Sequence, residues 1–99
     1  MEITKENVLK AIEVFKKMDS GNKSFTEAYY KGEPYYFKRH KLLLVPSEII
    51  NTHFGCSKYR MSAELVEMLQ KVGAKRAYRQ IYVNGKQSSS VLTWVFNID

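Results

Sequence analysis

His53 and Cys56 stand three residues apart, an imidazole and a thiol at a spacing that can bring two ligands to one metal ion. Structural zinc takes four such ligands in a tetrahedron, and this pair fills half of it. His40 alone does not complete the set, so a structural histidine and a buried thiol are the better reading and no metal is expected. Covalent catalysis also lacks its parts. A thiol nucleophile needs a base that a third group orients, and no acid stands at a recognisable spacing from this pair. The serines cluster at residues 88–90, in what reads as a flexible loop. Asp19 and Asp99 fall at element ends, Glu2, Glu6, Glu13, Glu64 and Glu67 on helix surfaces, and Glu33 before a proline. No two carboxylates converge, and no enzymatic activity or cofactor is expected.

The chemistry that the residues do offer is electrostatic. Among 99 residues, 16 Lys and Arg face 10 Asp and Glu, a formal net charge of +6. Such a balance suits a polyanionic partner, nucleic acid foremost. Lys10, Lys16, Lys17 and Lys23 accompany the first helix as its wet side. Two denser stretches, "YFKRHK" at 36–41 and "KRAYR" at 75–79, interleave cations with tyrosines. Lys58 and Arg60 stand just before a helix N-cap, where free N–H groups and the dipole favour a phosphate. Lys75, Arg76 and Arg79 lie on the strand that follows that helix, with Lys86 at its turn. Each Lys or Arg that neutralises a phosphate releases counterions, which gives affinity without sequence preference. Tyr59, Tyr78 and Tyr82 are placed to stack on unpaired bases, at about 1–3 kcal/mol per base. Tyrosines alternating along a strand also pack on neighbouring elements, and Lys38 and Lys41 either extend the basic surface or only solubilise it.

The elements that position these groups follow from periodicity. Thr4 caps a first helix through about Met18, with Val8, Ile12, Phe15 and Met18 on one side. Ser24 and Glu27 have capping-box spacing for a short helix ending near Gly32, with a strand leading into a hairpin as the rival. The continuous apolar run at 42–45 reads as a buried strand. Ser47 is expected to cap a helix that stops at Gly55, with Ile49, Ile50 and Phe54 inward. Ser62 caps a further helix with Leu65, Leu69 and Val72 inward and Met61 stapled on Val66; Gly73 ends it. Strands are expected at about 76–83 and 91–98, with Asn84-Gly85 as the turn and the register left open. Leu92, Trp94, Phe96 and Ile98 alternate on the inner side of the last one. The sum is an α+β fold in a single domain: a winged helix-turn-helix of helix, short helix, strand, helix, helix and two-stranded wing.

From "LLVPSEIINTHFG" through "KRAYRQIYVNGKQSSSVLTWVF" the chain resembles the winged-helix tail of phage- and plasmid-type primase-helicases. The likeness rests on Pro46-Ser47, Gly73, Lys75-Arg76 and Trp94 and covers residues from about 42 onward. It implies nucleic-acid binding in the replication of a mobile element. The P-loop pattern Gly-x4-Gly-Lys-Ser/Thr of an ATPase is absent.

A winged helix usually reads bases with its third helix. Here that helix turns Glu64, Glu67, Gln70 and Lys71 outward, and only Gln70 and Lys71 suit a base edge. The expected interface is therefore Lys58, Tyr59, Arg60, Lys71, Lys75, Arg76, Tyr78, Arg79 and Lys86, holding DNA rather than RNA with little base preference. Two alternatives remain: an adaptor docking on a polymerase, a helicase or another large protein, and a transcriptional regulator. No apolar run approaches the ~18 residues that span a bilayer, no apolar secretory core opens the chain, and Cys56 has no disulfide partner. A cytosolic protein without a membrane partner is expected.

Overall fold

Three hydroxyls decide where helices begin. The computed structural model describes residues 2–97, so Ile98 and Asp99 lie outside the described residues. In α1 (Lys5–Met18) the Thr4 hydroxyl accepts from the Asn7 N–H at 3.1 Å, with Glu6 in the first turn and Lys16 and Lys17 in the last. These charges complement the helix dipole. In α2 (Phe25–Lys31) the Ser24 hydroxyl accepts from the Glu27 N–H, and the Glu27 carboxylate accepts from the Lys23 N–H at 2.8 Å. The segment is thus a helix and not the rival strand, and it ends on Gly32 at φ +74°. In α4 (Ala63–Lys71) the Ser62 hydroxyl accepts from the Leu65 N–H at 3.2 Å.

The helix between them departs from expectation. In α3 (Ser47–His53) Ser47 is the first helical residue and caps nothing; Pro46 occupies the cap position without a side-chain bond. The reason is continuity, because Pro46 is also the last residue of the preceding strand and leaves no linker in which a cap can sit. Its ring-fixed φ of −55° suits both roles.

Four antiparallel strands form one sheet in the order β1-β2-β4-β3. They are β1 (Tyr35–Phe37), β2 (Leu42–Pro46), β3 (Lys75–Val83) and β4 (Lys86–Asn97). At Lys38 a turn folds β1 back on β2, with Tyr36 opposite Leu43. The last strand begins five residues before the expected position 91. Asn84 and Gly85, at φ +51° and +79°, make a two-residue turn of the type that matches strand twist. The serines therefore lie in a paired strand and not in a loop: Ser89 faces Ile81 and Ser90 faces Gln80. Tyr82 pairs with Gln87, which leaves Ser88 as the extra residue of a bulge.

Both faces of the sheet are covered near its base. Leu43, Val45, Trp94 and Phe96 pack with Val8 and Phe15 of α1, Ile50 of α3, and Leu65 and Leu69 of α4. Leu44, Ile81 and Val91 pack on the opposite face under Phe25 of α2. Trp94 closes the main core as expected, whereas Leu92 and Val72 are only half-buried. Among the described residues no helix is long and apolar enough to cross a membrane.

Candidate nucleic-acid interface

β3 is an edge strand, bonded only to β4, and Ile81 is its one buried residue. Its cations stand on both faces. Arg76 pairs with Trp94, and its guanidinium sits 5.9 Å from the indole centroid on the main-core side. Lys75 and Arg79 pair with Val95 and Val91, whose side chains belong to the opposite cluster. Strand alternation makes this division unavoidable for positions of odd and even number. The ribbon therefore carries positive charge along an edge rather than on one face.

These cations are not neutralised internally. Among the described residues, Lys58, Arg60, Lys75, Arg76, Arg79 and Lys86 enter no ion pair. Lys71 differs, with its ammonium 3.6 Å from the Glu67 carboxylate on an exposed helix surface. Such a pair contributes little to stability but occupies the lysine. The outward side of α4 presents Glu64, Glu67, Gln70 and Lys71, all exposed. The tyrosines are not packing residues: Tyr59 is 80%, Tyr78 71% and Tyr82 50% exposed.

The loop between α3 and α4 reaches the surface through one anchor. The buried Asn51 side chain donates from Nδ2 to the Lys58 carbonyl at 3.0 Å, and the Cys56 N–H donates to the Asn51 carbonyl at 2.8 Å. Lys58 then lies 5.3 Å from the Tyr59 ring centroid, and Arg60 follows in the open. His53 does not face Cys56 in a ligand set. Its ring meets Phe15 at 5.2 Å and Phe54 at 5.1 Å, edge to face. Among the described residues no three His, Cys, Asp or Glu side chains gather where they could hold a metal.

The second basic stretch does not join the first. Lys38, Arg39 and His40 are exposed in the β1–β2 turn, at the far edge of the sheet from β3.

A cleft of about 660 Å³ between α1, α2 and α3 was not foreseen from the sequence. It brings Tyr29, Tyr30 and Glu48 beside Lys58. The adjacent pair "YY" at 29–30 carries a local hint, since side chains at neighbouring helix positions point about 100° apart. Tyr30 stays 58% exposed. Burial pushes the Tyr29 phenol above its ordinary range; the Glu48 charge adds to this and Lys58 opposes it. No family model matches the chain, and no curated protein or solved structure matches it.

Proposed function

We propose that this chain is a non-enzymatic nucleic-acid-binding module of the winged-helix kind, gripping its polyanion with the β3–β4 ribbon and the loop around Lys58. The order α1, β2, α3, α4, β3, β4, with β2 beside β4, supports the winged-helix reading, and α2 and β1 are additions to it. One observation carries the function: cations that enter no ion pair among the described residues stand on both faces of an exposed edge ribbon. A ribbon entering a groove meets a phosphate wall on each side, and the major groove of B-form DNA admits a two-stranded ribbon. Duplex or junction DNA fits this better than a strand lying against one face. With carboxylates on the outward side of α4, affinity comes mainly from phosphate contacts and little from bases. The resemblance to primase-helicase tails extends the reading to an accessory role in the replication of a mobile element.

The test is salt-dependent binding of labelled duplex. Arg76→Glu and Arg79→Glu, made singly, each weaken binding to every sequence alike and reduce the log–log salt slope by about 1. The double variant sums the two losses. Unchanged affinity in the double variant removes the ribbon from the interface.

The exposed Glu64 and Glu67 favour a second reading, an adaptor that docks α4 on a basic surface of a larger replication protein. Co-purification of such a protein, together with no shift of labelled DNA at low salt, decides for it.

A further inference from the structure

We infer that the cleft between α1, α2 and α3 receives one unpaired guanine base, with Glu48 reading its edge and Lys58 holding the adjoining phosphate. This inference rests on the nucleic-acid reading above and adds a base-specific contact to it. The cleft's volume of about 660 Å³ lies in the ~300–1,000 Å³ range of small-ligand sites. Its floor is aromatic: Phe15 and His53 meet edge to face at 5.2 Å. At the rim, Tyr30 is held at 5.6 Å against Tyr29 while more than half of it stays open to solvent. An aromatic ring so fixed is a stacking platform whose ordering cost is already met by its neighbour.

The charges select the ligand. Glu48 lines the cleft, and among the described residues its carboxylate has neither an ion pair nor a side-chain hydrogen bond. A carboxylate only accepts, through two oxygens. Guanine is the base whose pairing edge offers two adjacent donors, the ring N1–H and the exocyclic amine. Adenine and cytosine offer one amine beside a bare ring nitrogen, and thymine or uracil sets its single N–H between two repelling carbonyls. Lys58 lines both this cleft and a smaller hollow of about 200 Å³ that Glu48 and Tyr59 also line, so a strand running from the cleft toward Tyr59 passes Lys58. Lys31 is also at the rim, 3.5 Å from Glu27. That ion pair occupies Lys31, so the cation this mouth offers to an anionic group is Lys58, which enters no ion pair among the described residues.

The experiment is fluorescence anisotropy with a short thymidine strand and the same strand carrying one central guanine, adenine or cytosine. The wild-type chain prefers the guanine strand over thymidine by roughly tenfold, the scale of one good two-point base contact. Glu48→Gln abolishes that preference and leaves the affinity for thymidine unchanged or slightly higher, because a negative charge is gone. Tyr30→Ala weakens binding of the guanine strand most. Equal binding of all four strands overturns the inference while leaving the nucleic-acid reading intact, as does a guanine preference that survives Glu48→Gln. Failure of every strand and of duplex at low salt overturns both.

Discussion

At position 51 a buried amide ties two segments of the chain together, and its orientation is dictated by chemistry. Only Nδ2 can donate to the Lys58 carbonyl, so Oδ1 is the atom left without a partner. Asn51→Ala removes this part-buried hydrogen bond and is expected to cost about 1 kcal/mol in urea unfolding. Asn51→Asp costs more, since it sets a carboxylate against that carbonyl. Loosening this tie also frees Lys58 and Tyr59, so amide exchange in residues 56–61 should rise in both variants. Contacts of this kind are poorly legible in sequence. The caps at Thr4, Ser24 and Ser62 were readable because each hydroxyl bonds a backbone N–H three residues on. Asn51 instead bonds a loop carbonyl seven residues on, a spacing that belongs to no recurring cap or turn. Ser47 misled for the converse reason: its type suits a cap, but Pro46 continues the strand into the helix.

The connection from α1 to α2 is organised by carboxylates rather than by apolar packing. Asp19 accepts from the Gly21 and Asn22 N–H groups and from the Asn22 amide, while Glu33 accepts from the Asn22 amide at 2.8 Å and the Ser20 hydroxyl at 2.9 Å. The Asn22 bond first, and the Ser20 bond second, hold the Glu33 carboxyl below its ordinary range. A carboxylate lowered in the folded state contributes stability that is fully present above its unfolded pKa of about 4.3. That stability is lost as pH falls through the lower folded value. Melting temperature should therefore drop on acidification below about pH 4. Glu33→Gln should flatten part of that acid limb, as scanning calorimetry across pH can measure. At this scale helix existence was legible from capping and periodicity, but the β1–β2 hairpin was not. Its turn has neither glycine nor proline, and Lys41 enters the left-handed region at φ +53° without a glycine to mark it. The covering of the sheet's second face by α2 was equally hidden, because a seven-residue helix carries too few positions to display a period.

For the molecule as a whole, the long edge of the sheet is β3, since the other edge, β1, has three residues. Exposed edges invite pairing with a second copy, and charged side chains are the usual deterrent. Lys75, Arg76 and Arg79 supply that deterrent here, and α2 adds a plug where the Thr26 hydroxyl accepts from the Tyr82 N–H at 3.3 Å. Replacing Arg76 and Arg79 by threonine should give concentration-dependent self-association in sedimentation beyond that of the wild-type chain. The basic stretch at 75–79 was thus legible as a strand rich in cations, but its partition between two faces emerged only once the pairing with Trp94 and Val91 was fixed. Beyond Ile81 the ribbon has no buried residue until Val91, so its outer part is a finger standing on a packed palm. Amides at 82–90 should exchange through small local openings, and those at 91–96 only when the whole domain unfolds. Substitutions at 82–90, Lys86 among them, should then leave the melting point where it was.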